Sequence, residues 1–436
     1  MPVSVVLTES GADRATAYAM SAKVVRRGPD YLCTWLGQER RNWWALVDAE
    51  RGVLREKGPV GPVRRDNHCG AGLCLAPDGT AHLVVGGHHE PFLHYRLPAS
   101  ANPAAWELLG EAGGPGGTYP SVTCDAEGVV HLAYRCRELT PGMPFPYHLM
   151  YARWEPDAGA WDGPRPLVRA AIEEHTWLTN VLETGPGGTV QVFVSNTRKL
   201  PDGSYYYGAA ALCSGDGGEQ WHQAGAQAPL ALPVDMGELE PLDGPNLARA
   251  RIQPPQQWQQ QAARGPGQYY YNEILLSNPV IDEQERPWVI LHNLLLGEAA
   301  LFHQEGDGFV GLPLAKALGE VAPGYRISHA GQLSRHRNGT LQAILTVAPE
   351  GVREFGAVGT AMVRLLVRPE GEVTLAEFAV EPAADGTPDW LPSLERWSWQ
   401  APFDRPALLH THGHNAGGYE HNVNDLMTTV RLQLPH

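Results

Sequence analysis

The chain is short of positive charge: 33 Lys and Arg stand against 48 Asp and Glu, a formal net charge of −15 over 436 residues. Such a surface repels nucleic acid and anionic membrane, so neither is expected as a partner, and an anionic ligand would need a local cationic pocket. Charged residues make up only 19% and hydrophobic ones 43%, which is too little charge for disorder and enough apolar surface for a core. Long apolar runs are missing, none approaching the roughly 18 residues that span a bilayer. The N-terminus, MPVSVVLTESGADRATAYAM, lacks a basic stretch followed by an apolar one. The expectation is a cytoplasmic protein as written, or a secreted or periplasmic one if a leader has been lost. Cysteine is scarce too: Cys33, Cys69, Cys74, Cys124, Cys136 and Cys213 include no CxxC pair. They read as buried free thiols rather than a disulfide framework. No HExxH, P-loop, GxGxxG or GxSxG stands in a fitting context, which argues against zinc peptidase, nucleotide and serine-esterase chemistry.

What the chain has in abundance is turn residues, 49 Gly and 37 Pro. They fall between short apolar runs, as in a protein of many strands and tight turns. One hairpin design recurs: CGAGLCLAPDGTAHLVVGG, YPSVTCDAEGVVHLAYR, WLTNVLETGPGGTVQVFVSN, NPVIDEQERPWVILHN and HAGQLSRHRNGTLQAILTV. Outer strands such as PFLHYRL, HLMYARW and AMVRLLVRP follow most of them. Four strands in a unit of roughly 45 residues is a β-propeller blade, which buries its faces only by stacking on its neighbours. YAMSAKVVRRGPDYLCTWL with NWWALVD supplies a further blade. ALLHTHGH and NDLMTTVRLQL, paired with the N-terminal VSVVLTE, close the ring and remove the open edge. The predicted fold is all-β, a seven-bladed β-propeller with four antiparallel strands per blade, residues 1–436 forming a single domain. SGDGGEQW at 214–221 fits the Asp-box turn S-x-D-x-G-x-x-W of sialidase-like propellers. Residues 225–268 break the rhythm and read as a surface insertion, partly helical around PPQQWQQQAARG.

In such a blade the start of the innermost strand and the end of the next lie at the same mouth of the central channel. His68 and His88 occupy these two positions in one blade, Tyr119 and Arg135 in the next. Taken singly, each is more often a structural residue at a strand end; four converging from two consecutive blades suggest a site. The same positions elsewhere hold His175 and Asn196, Asn278 and His292, and His329, polar groups suited to a sugar. Asn67, His89 and Arg137 adjoin the four.

DNHCGAGLCLAPDG, GGHHE, TYPSV and AYRCREL, in this order and spacing, resemble the BNR-repeat propellers that include ulvan lyases and L-rhamnose–α-1,4-D-glucuronate lyases. The resemblance implies a lyase site of two histidines on one blade and a Tyr followed by an Arg on the next, here His68, His88, Tyr119 and Arg135. It also implies a uronic-acid-containing oligo- or polysaccharide as substrate and β-elimination as the reaction. An arginine fork neutralises the uronate carboxylate, a base takes the C5 proton and an acid protonates the departing O4. His68 or His88 is the base and Tyr119 the acid, the other histidine orienting the carboxylate; the swapped roles stay open. The absence of a leader and the acidic charge depart from exported enzymes acting on a sulfated polymer, and fit an enzyme of short oligosaccharides better.

No cofactor is required for this chemistry. HTHGHN places His410, His412 and His414 at alternate positions, where a strand would point them to one side and a structural Zn or Ca ion could sit; a turn through Gly413 is the plainer reading. Two other functions remain open. A glycoside hydrolase of α-L-rhamnosidase or sialidase type would want paired carboxylates or an arginine triad, yet Asp66 and Glu90 are the nearest acids, and ERRNWWALVD in the first blade has no histidine. A non-catalytic glycan-binding propeller would tolerate loss of the His/Tyr/Arg set.

Overall fold

The computed structural model describes residues 3–137, 147–169, 176–199, 205–242, 249–252, 274–293, 298–352, 356–396, 403–415 and 427–435. Seven sheets follow one another along the chain, each built on four antiparallel main strands, the third adding the short parallel strand Val234–Asp235 at its edge. Their innermost strands are Val24–Arg27, Gly72–Leu75, Gly117–Cys124, Thr176–Thr184, Ile274–Leu276, Tyr325–Arg335 and Asp389–Leu394. Among the described residues helix is confined to Ala315–Val321 and the 3-10 turn Met236–Glu238. The predicted all-β, seven-bladed propeller is therefore the fold.

Apolar side chains on both faces of each strand dictate this arrangement. Successive side chains point to opposite faces, and each face here meets a different blade. In the second blade Leu73, Leu83 and Val85 pack on Val25, Leu32 and Leu46 of the first. Cys74 and Val84 pack the other way, on Val122 and Leu132 of the third. Equivalent layers fill the remaining five junctions, so the core is a ring of seven layers. That is why the strands read as continuous apolar runs instead of alternating ones. Amides stitch the same junctions: Asn42 bridges to Cys69 O and Ala71 N, and Asn180 donates to Ala133 O.

The ring closes as expected. Ser4–Gly11 is the outermost strand of the seventh blade, pairing with Thr428–Gln433, which pairs in turn with Leu408–His412. Leu7 is fully buried and joins the layer with Tyr31, Trp35 and Val430. Leu7→Ala is expected to cost about 2–4 kcal/mol, the usual range for a buried leucine cavity, measured as a lower urea midpoint with unchanged slope. A midpoint equal to wild type would mean that the closing strand carries little of the stability.

The Asp box forms as its pattern requires. Asp216 accepts from the amides of Glu219 and Gln220 at 3.1 and 2.9 Å, and Trp221 is buried with its Nε1 on Gly218 O. Of residues 225–268, 225–242 and 249–252 are described. Val234, Met236 and Leu239 enter the layer between the third and fourth blades. The helix expected around PPQQWQQQAARG lies outside the described residues. All six cysteines are free thiols; Cys33, Cys69, Cys74 and Cys124 are buried as expected, whereas Cys136 and Cys213 are only half-buried.

One feature was not foreseen. Residues 12–23, which join the closing strand to the first blade, are almost wholly buried. Thr16 donates to Leu391 O of the seventh blade, Ala19 O accepts from Gln332 of the sixth, and Met20 O accepts from Ser121 of the third. A segment held by blades on different sides of the ring must cross its axis. It stoppers the channel, so the mouth where the strand ends converge has a floor.

Candidate active site

The second and third blades are joined at this mouth. His88 forms an isolated bridge with Thr118, and His89 N donates to Gly117 O at 2.9 Å. Tyr119 and His89 both adopt left-handed backbone conformations, φ +62° and +63°. Tyr119 sits in a bulge, the register slipping between Thr118 and Ser121. Non-glycine residues pay conformational strain for this geometry and hold it where the surroundings enforce it, as sites often do.

Asp66 organises the pair of imidazoles. Its Oδ1 accepts from His68 N at 2.9 Å and from His68 Nδ1 at 3.0 Å, while Oδ2 accepts from His88 Nδ1. The rings stack with centroids 4.3 Å apart. Burial opposes ionisation of Asp66, but the hydrogen bonds from His68 and His88 outweigh it and hold the carboxyl well below its usual range. A carboxylate only accepts, so both Nδ1 atoms carry the proton, and in the neutral rings the lone pair is on Nε2. His68 is 2% exposed; burial lowers its pKa to about 4 and the Asp66 bond opposes this only in part. It is neutral at pH 7. The His88 side chain is 19% exposed and so stands nearer the solvent.

Tyr119 lies 5.9 Å from His68, ring to ring, and the Arg135 guanidinium sits 4.4 Å over its face. The other side of that guanidinium is 4.2 Å from Tyr147, and Nη1 reaches Leu178 O at 3.4 Å. Burial raises the Tyr119 hydroxyl above its ordinary range, so it keeps its proton at neutral pH. Thus His68, His88, Tyr119 and Arg135 are brought together as the sequence suggested, and His89 joins them, its ring 4.4 Å from that of His88.

The structure adds three residues. Asp66 is one; Arg14 and Tyr18, from the segment that floors the channel, are the others. Arg14 Nη1 donates to Tyr18 OH at 2.8 Å, and the Tyr18 ring meets Tyr119 edge-on at 5.0 Å and lies 6.1 Å from His68. Asn67 fastens that segment, its amide donating to both oxygens of Asp13 at 3.1 and 3.2 Å.

The remaining candidates separate. Arg137 is half-buried at the end of the strand that carries Arg135. Asn278 is 1% exposed, and its amide takes Leu333 N and gives to Leu333 O, stitching the fifth blade to the sixth. His292 is fully buried, with Nδ1 on His329 O at 2.6 Å, and His329 is itself buried. These three belong to blade packing rather than to the His68 cluster. The backbone of Asn196 pairs with Leu178 and Gly208, while its side chain, like all of His175, lies outside the described residues.

The metal expectation at 410–414 is corrected. Only His410 and His412 lie on the strand, each within about 3.1 Å of one oxygen of Asp389, and His414 is exposed beyond its end, after the turn at Gly413. Among the described residues the three-donor group compact enough for a metal ion is Asp66, His68 and His88, with donor atoms within 4.8 Å of one another.

Buried imidazoles make stability depend on pH. Burial lowers His68, His82 and His292 to about 4, against 6.5 when unfolded, and lowers His89 and His94 further. Between pH 6.5 and 4 the unfolded chain therefore binds protons that these rings decline, and stability falls with pH. Glu395, raised by burial to about 7, and Glu183, also raised, act in the opposite direction. With His303 and His336 also lowered and Asp30 also raised, seven imidazoles outweigh three carboxyls, and the urea midpoint at pH 4.5 is expected below that at pH 7.5. Equal midpoints would show that these histidines are not held neutral.

No protein-family model matches the chain, and no curated protein sequence matches it. Solved structures do. An ulvan lyase of polysaccharide lyase family PL25, bound to GlcA(1-4)Rha3S, aligns with a TM-score of 0.64 at 12% identity, covering 98% of this chain and 95% of that one. The polysaccharide lyase Uly1 aligns at 0.59 and 10% identity, covering 99% of each chain. The BP39L lectin from Burkholderia pseudomallei aligns at 0.52 and 12%, covering 92% of this chain and 98% of the lectin. The resemblance read from the motifs is thus met by a shared fold, and at these identities the likeness is one of fold.

Proposed function

We propose that the protein is a carbohydrate lyase that breaks a rhamnose–uronate linkage by β-elimination. The observation that carries this reading is the convergence of a carboxylate-oriented histidine pair, a protonated phenol and a guanidinium at one end of the channel. Fold likeness to polysaccharide lyases supports it, although propellers host many activities and the site has to make the case.

Arg135 pairs with the uronate carboxylate and stabilises the charge that grows there as the C5 proton leaves. His88, the more exposed imidazole, takes that proton on Nε2, and His68 sits behind it as a neutral partner on the same carboxylate. Tyr119 gives its proton to the departing O4, for which a hydroxyl that stays protonated at neutral pH is suited. Asp66, His68 and His88 also have the donor chemistry of a metal site; their Nδ1 atoms are already engaged by Asp66, and the proposed steps use side chains alone.

Elimination leaves a C4–C5 double bond. Incubation with ulvan and with rhamnosyl-glucuronate glycans is expected to produce an ultraviolet-absorbing product, and to do so after treatment with EDTA. Reducing ends released without absorbance would indicate hydrolysis instead. Binding without any cleavage would leave a lectin.

A further inference from the structure

Tyr119 stands against two local preferences of its own backbone. A non-glycine residue rarely adopts a φ of +62°, and a residue that precedes a proline, as Tyr119 precedes Pro120, favours an extended backbone. Such a conformation persists where the neighbours over-determine it. On one flank the neighbour is the second blade: His89 N donates to Gly117 O and, at 3.3 Å, to Thr118 Oγ1. On the other flank it is the segment that floors the channel. Ser21 Oγ donates to Pro120 O, and Ser121 Oγ donates to Met20 O at 2.6 Å, so the two residues that follow Tyr119 are each tied to the floor. Tyr18, from the same segment, packs its ring against that of Tyr119. Ser21 and Ser121 are 3% and 0% exposed, so both ties are shielded from water. The floor is itself held from across the ring: Gln332 of the sixth blade donates to Ala19 O at 3.1 Å, and Lys23 N donates to Ser393 Oγ of the seventh at 3.0 Å. It is a fixed abutment for the bulge.

We propose that Ser21 is a positioning residue for Tyr119: through Pro120 O it clamps the bulge and aims the phenol at the substrate. The crossing segment thus does more than stopper the channel; it braces the strained residue against the far side of the ring. The clamp is a matter of geometry alone, whereas its effect on rate rests on the lyase reading, in which Tyr119 is the acid. Proton transfer needs hydrogen-bond reach, and a displacement of about 1 Å is enough to forfeit most of a catalytic group's contribution.

Ser21→Ala is expected to lower kcat on a rhamnosyl-glucuronate glycan by about 10²-fold with KM little changed, the signature of an interaction made in the transition state. The control is Ser334→Ala, which removes an equally buried serine bond, to Glu395 O at 2.6 Å, between the sixth and seventh blades; its kcat is expected to stay at the wild-type value. In a Tyr119→Phe background, which lacks the hydroxyl to be aimed, Ser21→Ala is expected to cost nothing further. With the protein labelled by fluorotyrosine, fluorine NMR is expected to show the Tyr119 resonance shifted by Ser21→Ala and that of Tyr325, in the sixth blade, unmoved. Ser121→Ala cuts the other tie and decides where Ser21→Ala does not fold. A kcat equal to that of Ser334→Ala, a loss of the same size in the Tyr119→Phe background, or an unmoved Tyr119 resonance would each overturn the proposal. If the wild type releases no unsaturated product, the lyase reading falls, and the resonance alone decides whether Ser21 holds Tyr119.

Discussion

Asp66→Asn is expected to lower kcat/KM for a uronate glycan by about 10³ to 10⁴ with the fold intact. The magnitude is that seen when the carboxylate orienting a catalytic imidazole becomes an amide. Asp66 accepts from the His68 backbone and from each imidazole Nδ1, and more weakly from the Cys69 thiol at 3.8 Å. An asparagine has one oxygen to accept with and an NH2 group that only donates. One ring must then accept at Nδ1, which moves its proton to Nε2 and removes the lone pair that a base needs. If the amide nitrogen takes the Oδ2 place, the affected ring is His88, the proposed base. Near-ultraviolet circular dichroism and the urea midpoint check that the loss is chemical rather than structural. Activity within about threefold of wild type would show that Asp66 merely packs the pair, and the base assignment would fall with it.

Asp66 also shows how far a sequence can be read. It was visible only as the nearest acid to the mouth, although its place two residues before His68 is the spacing at which an Asx side chain caps the following backbone amide. Arg14 and Tyr18 gave no such signal. They reach the site because their segment crosses the axis of a closed ring, and that crossing depends on contacts with Leu391, Gln332 and Ser121, more than a hundred residues away in each case. The propeller itself was legible because each hairpin repeats its apolar runs and turn residues, and because all seven layers demand the same pattern. Position at a strand end was a weaker guide to function. It picked out His68, His88, Tyr119 and Arg135, which the fold brings together, yet it also selected Asn278, whose amide serves the neighbouring blade, and His292, whose Nδ1 does so. A strand-end residue can turn to the channel or to the next blade, and spacing does not tell which. His410 and His412 show the same ambiguity: alternate positions put both on Asp389, while the turn at Gly413 carries His414 away.

Arg135→Lys is expected to reduce kcat/KM on a free uronate by about 10² to 10³, the usual cost of removing a preorganised donor from a developing anion. Lysine keeps the charge but loses the planar fork and the stacking, here between Tyr119 and Tyr147 at 4.4 and 4.2 Å. The guanidinium is 1% exposed, so the substitution also removes packing, and a fall in activity alone would not separate charge stabilisation from a disturbed pocket. Esterifying the substrate does. A methyl uronate carries no carboxylate for Arg135 to neutralise, and its C5 proton is already more acidic. If Arg135 acts on the carboxylate, the wild-type rate advantage over Arg135→Lys shrinks towards unity on the ester. If Arg135 only holds the two tyrosines in place, acid and ester lose activity equally, because the damage lies in the position of Tyr119 and is indifferent to the charge at C6. The ratio of the two ratios is thus a direct reading of how much of the barrier the guanidinium removes through charge, and equal losses would strip Arg135 of its proposed role while leaving the histidine pair untouched.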